Sequence, residues 1–366
     1  MTNYLLAGGG TAGHVNPLLA LADKIKNDSP SHKIFALGTE EGLEKDLVPA
    51  RGYELLTVER LPFPRRLNSY AVKFPIAFGQ AIKHCEALIR KHNIDVVVGF
   101  GGYASAPAYL AAKRLGVPVV VHEANALPGW ANKLGSKFAA ATGVAFKSTP
   151  IKGAHFVGMP LRNEIQELAR NSNSVDFDKS SARKYFGLDP KTITLLVTGG
   201  SLGARRINQT IEDSRKIFSA AGIQVLHIVG GKSDLEEVSA GDYQRIKYCD
   251  RMDLAIAASD FAVSRAGAST VSEFAAVGLP AVYVPYPVGN GEQKFNAATL
   301  VEAGGGKIVA DRDFTAEYIS GELISIMSHS SSLRRMSEAA KSVGIPDATE
   351  RLRDLVLAAV NTNTRD

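Results

Sequence analysis

Two stretches of this chain repeat one device, an apolar run delivered straight into a cluster of small residues: Leu5-Leu-Ala-Gly-Gly-Gly-Thr-Ala-Gly13 and Leu195-Leu-Val-Thr-Gly-Gly-Ser-Leu-Gly-Ala204. Each apolar run reads as a buried strand and each glycine cluster as a tight turn. After the first turn, Leu18, Leu21, Ala22 and Ile25 carry helical spacing, with Pro17 expected in the opening turn, where its missing N–H is harmless. Strand, glycine turn and helix open a βα unit, whose strands pair in parallel and are covered by helices. Two such openings, half a chain apart, predict two domains of one kind.

The rest of the chain keeps the alternation. Ile34–Leu37, Leu55–Val58, Asp95–Gly99 and Val117–His122 are strand candidates, separated by helical stretches such as Ala71–Arg90 and Pro107–Leu115. After the second opening, Arg205–Ala220 reads as a helix. Gln224–Val229, Arg245–Tyr248, Phe261–Val263, Ala281–Val284 and Lys307–Val309 read as strands. The expected fold class is α/β, two Rossmann-like open parallel-sheet domains facing a central cleft, with ligands gathered beyond the carboxyl ends of the strands. The expected boundaries are 1–162, a polar linker over 163–190, a second domain over 191–345, and a last helix within 346–366. That helix should begin at Asp347 with Glu350 completing a capping box, bury Leu352, Leu355, Val356 and Ala359, and pack back on the first domain.

Composition excludes several classes. With 45% hydrophobic and 22% charged residues, the 366-residue chain has ample material for two cores. No apolar run approaches the ~20 residues of a membrane span, and the first residues lack the basic start and apolar centre of a signal peptide. Cys85 and Cys249 offer neither a disulfide framework nor metal spacing, which suits a reducing compartment. Net charge is +5, unevenly spread: Met1–Arg162 carries 19 Lys and Arg against 11 Asp and Glu. A basic first half suggests an anionic partner there, although dispersed surface lysines give the same count.

The stretch Ser264-Arg-Ala-Gly-Ala-Ser-Thr-Val-Ser-Glu273 reads as strand end, tight loop and helix start. Unpaired amides of a helix's first turn, over Ala268, Ser269 and Thr270, can hold a diphosphate. Glu273, about a turn further in, can accept hydrogen bonds from a pair of ribose hydroxyls; the alternative is a capping box in which Glu273 satisfies a backbone amide. Gly8-x-Gly10-x-x-Gly13 formally satisfies a dinucleotide fingerprint. Its second strand ends in Gly38-Thr39 with Glu40 arriving late, so the fingerprint is incomplete, though its amides can hold a different diphosphate. His14, directly after this loop, is a candidate proton acceptor or a structural histidine. His122-Glu-Ala-Asn125 with Asn132, and Glu292-Gln293 with Asn296, are polar groups at strand ends. They are suited to sugar hydroxyls or, alternatively, to capping. Asp176-Phe-Asp178 and Asp311-Arg-Asp313 have metal-binding spacing but read more simply as turns, and a hydrolase nucleophile elbow is absent.

Five motifs, Gly8–His14, His122–Asn125, Gly199–Arg205, Arg265–Glu273 and Glu292–Asn296, stand in an order and spacing that resembles, over nearly the whole chain, the MurG-type peptidoglycan N-acetylglucosaminyltransferases of glycosyltransferase family 28. The resemblance implies a GT-B fold and inverting β-1,4 transfer from UDP-N-acetylglucosamine to lipid I, the muramyl-pentapeptide carried on undecaprenyl diphosphate, giving lipid II. It also implies a peripheral place on the cytoplasmic face of the cell membrane, with no cofactor, no essential metal and no nucleic acid. By position, Thr11, Ala12 and Gly13 match a donor-contacting loop and Asn125 a residue near the acetylglucosamine. Arg162 and Ser201 match nucleotide-side contacts, Cys249 the place whose backbone meets uracil, and Ala268, Ser269, Thr270, Val271, Ser272 and Glu273 the diphosphate and ribose site. Gln293 matches a sugar-hydroxyl contact. Two departures stand out: Glu292, where many members carry Gln, and Ala12, where glycine is frequent. A UDP-N-acetylglucosamine 2-epimerase, another GT-B UDP-sugar transferase and a nucleotide-sugar sensor are the alternatives.

The chemistry requires a base for the acceptor hydroxyl and a site stabilising charge on the departing UDP. His14 is the preferred base and Glu123 the competing carboxylate. Between Arg60 and Phe78, Leu61, Phe63, Leu67, Phe74, Ile76 and Phe78 are interleaved with Arg60, Arg65, Arg66 and Lys73. This is expected to rest on anionic inner-leaflet lipid, or else to form a loop and a core helix.

Overall fold

The computed structural model describes residues 1–64, 68–171, 179–200, 203–287 and 291–363. The chain divides into two compact units, residues 1–162 together with 347–366, and residues 163–346.

In the first unit, β1 (Asn3–Ala7), β2 (Lys33–Gly38), β3 (Glu54–Thr57), β4 (Val96–Gly99), β5 (Val119–Glu123), β6 (Ala141–Val144) and β7 (His155–Phe156) form one parallel sheet in the order β3-β2-β1-β4-β5-β6-β7. The chain leaves β1 towards one side and β4 towards the other, which opens a crevice at their carboxyl ends. Alternation along β1 sends Tyr4 and Leu6 to one core and Leu5 and Ala7 to the other. The first core holds Leu18, Leu21 and Ile25 of the helix Ala12–Asp28 with Leu352 and Val356 of the last helix, Ala348–Asn363. The second holds Ile82, Cys85 and Ile89 of the helix Ser69–Lys91 with Tyr109 and Ala112 of the helix Ser105–Arg114. The last helix is tied into this unit where the Leu161 N–H donates to Thr349 Oγ1 (3.2 Å) and where Arg353 pairs with Asp28.

Two local expectations are corrected here. The first helix starts at Ala12 because Thr11 is extended (φ −133°, ψ 158°) and serves as N-cap. His14 therefore lies in the first turn, and Pro17 sits a turn inside, where its nitrogen cannot donate to the Gly13 carbonyl. The basic-apolar stretch is partly core: Leu61 and Phe74 are buried with Ala81, against Ala77 and Phe78. Phe63 (51%), Val72 (78%) and Ile76 (69%) stay exposed. Arg65, Arg66 and Leu67 lie outside the described residues.

In the second unit, β8 (Thr194–Thr198), β9 (Gln224–Ile228), β10 (Val238–Ala240), β11 (Tyr243–Ile246), β12 (Phe261–Ser264), β13 (Ala281–Tyr283) and β14 (Gly306–Ile308) form a sheet in the order β10-β11-β9-β8-β12-β13-β14. It is parallel except at the β10 edge. The strand expected at Arg245–Tyr248 lies two residues earlier, because Tyr243 is the side chain that enters the core. The expected helix Arg205–Ala220 is broken at Ser214 into Arg205–Asp213 and Arg215–Ala220. Residues 163–190 contain the helices Asn163–Asn171 and Lys179–Tyr185, and Ala182 packs with Ala257 and Ala258 of this unit. Buried Arg183 anchors the segment, donating to the Ala258 carbonyl (2.9 Å) and pairing with Asp260 (2.5 Å). Asp176 and Asp178 lie outside the described residues.

Candidate active site

At the carboxyl end of β1, the loop Gly8–Thr11 turns His14 back over itself. His14 Nδ1 stands 3.1 Å from the Gly9 carbonyl oxygen and 3.5 Å from Thr11 Oγ1. A carbonyl can only accept, so Nδ1 carries a proton, and in the neutral ring the lone pair is on Nε2. Gly101, at the end of β4 (φ +91°), keeps that lone pair accessible. A Cβ there would stand 3.3 Å from both His14 Nε2 and Asn132 Nδ2. Thr11, Ala12 and Gly13 form the cap and first turn beside it.

Underneath the loop lies a carboxylate that reading the sequence missed. Glu44, wholly buried at the start of the helix Glu44–Ala50, accepts from the Gly10 N–H (2.7 Å), the Thr39 N–H (2.9 Å) and the Thr39 hydroxyl (2.9 Å). A Cβ on Gly9, Gly38 or Gly42 would collide with it. Those three glycines facing one acidic residue were the available signal. Glu44 also takes the Gly10 amide, which removes that amide from any anion at this loop.

At the end of β5 the expected polar cluster is present, but its parts are committed to one another. Glu123 is buried and accepts from the Asn125 N–H (2.8 Å), the Gly129 N–H (3.0 Å) and Asn132 Nδ2 (2.9 Å). Asn132, also buried, donates to the His122 carbonyl (3.1 Å) and accepts from the Tyr109 hydroxyl (2.8 Å). The ring of Tyr109 occupies space left by Gly99 and Gly135. Three donors converge on this carboxylate and tie it to the segment Ala124–Gly129 and to Asn132, so Glu123 is engaged as a brace. Asn125, whose N–H this carboxylate holds, is half-buried. Burial pushes the pKa of His122 down to about 4 and keeps the imidazole neutral, helped by the nearby His14 and opposed in part by the bond that its Nε2–H donates to the Gly158 carbonyl (2.9 Å).

In the second unit the strand β12 runs into the helix Ala268–Val277, whose N-cap is Gly267 (φ −65°, ψ 142°). The cap has no side chain and the first turn has no acidic residue. The Ser269 hydroxyl is buried with no partner among the described residues. These are the features of an anion site. The capping-box alternative for Glu273 fails, because the cap is three residues before Thr270 and Glu273 lies in the second turn, buried. Val271 is buried in this helix, and Ser272 is half-buried. Arg265 is withdrawn from ligand duty: it pairs with Asp311 (2.5 Å), donates to the Val284 carbonyl (3.0 Å) and lies over the Tyr286 ring (5.5 Å). Gln293 Oε1 accepts the Tyr286 N–H (2.9 Å), so its amide nitrogen is the end left to act. Buried Asn296 donates to the Ala266 carbonyl (3.2 Å), holding the loop before the helix.

The structure thus gathers Thr11, Ala12, Gly13, His14, Glu123 and Asn125 at one carboxyl edge in the first unit, and Ala268–Glu273 with Gln293 at another in the second. Half-buried Arg162 closes the first unit's main segment, and Cys249 is buried just beyond β11. Ser201 lies outside the described residues. Among the described residues no three His, Cys, Asp or Glu side chains group as metal ligands, and no helix is long and apolar enough to cross a membrane.

Comparison with known proteins gives a consistent result. Residues 4–144 match the glycosyltransferase family 28 N-terminal domain and residues 194–352 the family's C-terminal domain. A Clavibacter sepedonicus protein named UDP-N-acetylglucosamine--N-acetylmuramyl-(pentapeptide) pyrophosphoryl-undecaprenol N-acetylglucosamine transferase is 56% identical over 361 residues, 98% of this chain and 97% of that one. The crystal structure of Acinetobacter baumannii MurG superposes with a TM-score of 0.74 at 25% identity, covering 98% of this chain and all of the other. A Listeria monocytogenes structure described as a UDP-N-acetylglucosamine 2-epimerase superposes with a TM-score of 0.67 at 14% identity, a likeness of fold alone.

Proposed function

The chain belongs to glycosyltransferase family 28, and on that premise we propose how its two carboxyl-edge sites share one reaction. The reaction moves N-acetylglucosamine from UDP-N-acetylglucosamine to the 4-hydroxyl of the muramyl residue of lipid I, with inversion, and yields lipid II.

His14 is the base. As the acceptor oxygen attacks the anomeric carbon from the face opposite UDP, its proton passes to His14 Nε2, already bared by the Nδ1–H bond to Gly9. The bond from the anomeric carbon to the β-phosphate oxygen breaks, and its electron pair leaves with UDP. The amides of Ala268, Ser269 and Thr270, with the helix dipole and the Ser269 hydroxyl, stabilise that charge. Glu273 receives the ribose, the backbone at Cys249 the uracil, and Asn125 and Gln293 the sugar hydroxyls. Thr11, Ala12 and Gly13 contact the donor, and Arg162, with Ser201 by its place in the sequence, serves its nucleotide side. The acceptor comes from the bilayer, so the exposed Phe63, Val72 and Ile76 with the neighbouring Arg65 and Arg66 seat the first unit on anionic lipid at the cytoplasmic face of the membrane.

The observation that carries this reading is the helix start at Gly267, with no side-chain cap, and the buried Ser269 hydroxyl, without a partner among the described residues. The test is UDP release in the presence and absence of a lipid I analogue, with product analysis. Release that requires the analogue and yields a disaccharide product is expected. Conversion of the donor sugar without acceptor would indicate an epimerase, and binding without turnover a sensor.

A further inference from the structure

We infer that Glu44 is a positioning residue for the proton acceptor, acting on His14 through a single peptide group. The inference rests on the reading of His14 as base. The Gly9 carbonyl and the Gly10 N–H belong to the same planar trans peptide unit and point in opposite directions. Glu44 Oε2 takes the N–H from one side (2.7 Å), and His14 Nδ1–H meets the carbonyl on the other (3.1 Å). A peptide between two glycines is otherwise easily rotated, because both flanking residues tolerate dihedrals closed to others; Gly10 stands at φ +89°. The carboxylate removes that freedom. Its other oxygen is fixed by the Thr39 amide and hydroxyl, both at 2.9 Å, and its body fills the space left by Gly9, Gly38 and Gly42.

The carboxylate therefore selects the peptide orientation in which the Gly9 oxygen faces His14. That orientation selects the Nδ1–H tautomer and leaves the lone pair on Nε2, the nitrogen beside Gly101. A buried charge at the N–H end also polarises the peptide and strengthens the carbonyl as an acceptor. With the peptide turned over, an N–H would confront Nδ1, the tautomer would invert, and Nε2 would carry a proton where it must receive one. Glu44 touches no substrate in this account.

Two measurements test it on the full chain. In nitrogen-15 NMR of histidine-labelled protein, with the His14 signal identified by its loss in His14→Gln, the neutral wild-type ring should be the Nδ1–H tautomer. The Nε2–H tautomer would overturn the inference whatever the variants do. Second, Glu44→Gln keeps the shape but cannot accept at both ends. It should lower turnover on the order of 10–100-fold with UDP affinity kept, and should shift the tautomer signal. In the His14→Ala background the same substitution should cost nothing further, since both residues act through one proton transfer. Full turnover in Glu44→Gln, or an additive loss in the double variant, would show that Glu44 only supports the fold. If His14→Ala alone leaves turnover intact, it is the reading of His14 as base that fails.

Discussion

Asn132 Nδ2 donates to Glu123 Oε2 across 2.9 Å, and both side chains are buried. That bond, with two backbone donors on the same carboxylate, separates the two residues proposed as base. His14→Ala should lower turnover on the order of 10²–10⁴-fold with donor affinity nearly kept. Glu123→Gln removes a buried acceptor shared by three donors and should first appear as a loss of about 1–3 kcal/mol in unfolding free energy. Steady-state kinetics beside urea titrations separate the roles. A Glu123→Gln enzyme of native stability but without turnover would return Glu123 to the chemistry.

Glu273 lies in the second turn of the helix Ala268–Val277, beyond the reach of a cap. If it receives the ribose, Glu273→Ala should weaken UDP binding by about 1.5–3 kcal/mol, the range for a charge-assisted hydrogen bond. Calorimetric titration with UDP measures this directly. Unchanged affinity would remove Glu273 from the nucleotide site.

Stability should fall in mild acid. Burial lowers the pKa of His122 to about 4, and burial with the nearby Arg245 lowers that of His227 to about 3, against 6.5 for a free histidine. Below pH 6.5 the unfolded chain takes up protons that the native state refuses. The stabilisation from these rings is therefore complete above that pH and is lost progressively as pH falls towards about 4 and about 3. Each unit of pH over that interval is worth roughly 1.4 kcal/mol per ring. Urea midpoints at pH 7.5 and 5.5 should differ accordingly, and His122→Gln should shrink the difference. Equal midpoints for the wild type would contradict the neutral burial of these rings.

Val72 and Ile76 stand on one exposed side of the helix Ser69–Lys91, a turn apart, while Phe74 points into the core. Replacing both with Ser should reduce binding to vesicles rich in anionic lipid and leave UDP binding unchanged. Arg65→Glu with Arg66→Glu should do the same, most visibly at low salt. Sedimentation with vesicles reads both variants; if they pellet like the wild type, the membrane contact lies elsewhere.

Transfer should survive excess EDTA. Asp311, in the pair with Asp313, is engaged by Arg265, and the first-turn amides of the helix Ala268–Val277 are there to serve phosphates in its place. Loss of activity with rescue by magnesium or manganese would redirect attention to Asp176 and Asp178.

The sequence by itself determined the periodic part of this protein. Strand, glycine turn and helix recur from Leu5 and again from Leu195 because runs of buried side chains and positive-φ turns are local demands, legible within ten residues. The apolar stripe Leu352, Val356 and Ala359 was legible for the same reason. Even the helix start at Ala268 followed from short-range rules, although its cap proved to be Gly267. What the tertiary structure alone decided is which polar groups are already satisfied. Glu44 reaches Gly10 across 34 positions of sequence, Arg265 reaches Asp311 across 46, and Tyr109 reaches Asn132 across 23. An acidic or amide side chain looks alike in sequence whether it faces a ligand or a buried N–H. Only the packing of distant segments fixes its partners, and those partners set three donors on Glu123 and bring the Gly9 carbonyl to His14 Nδ1.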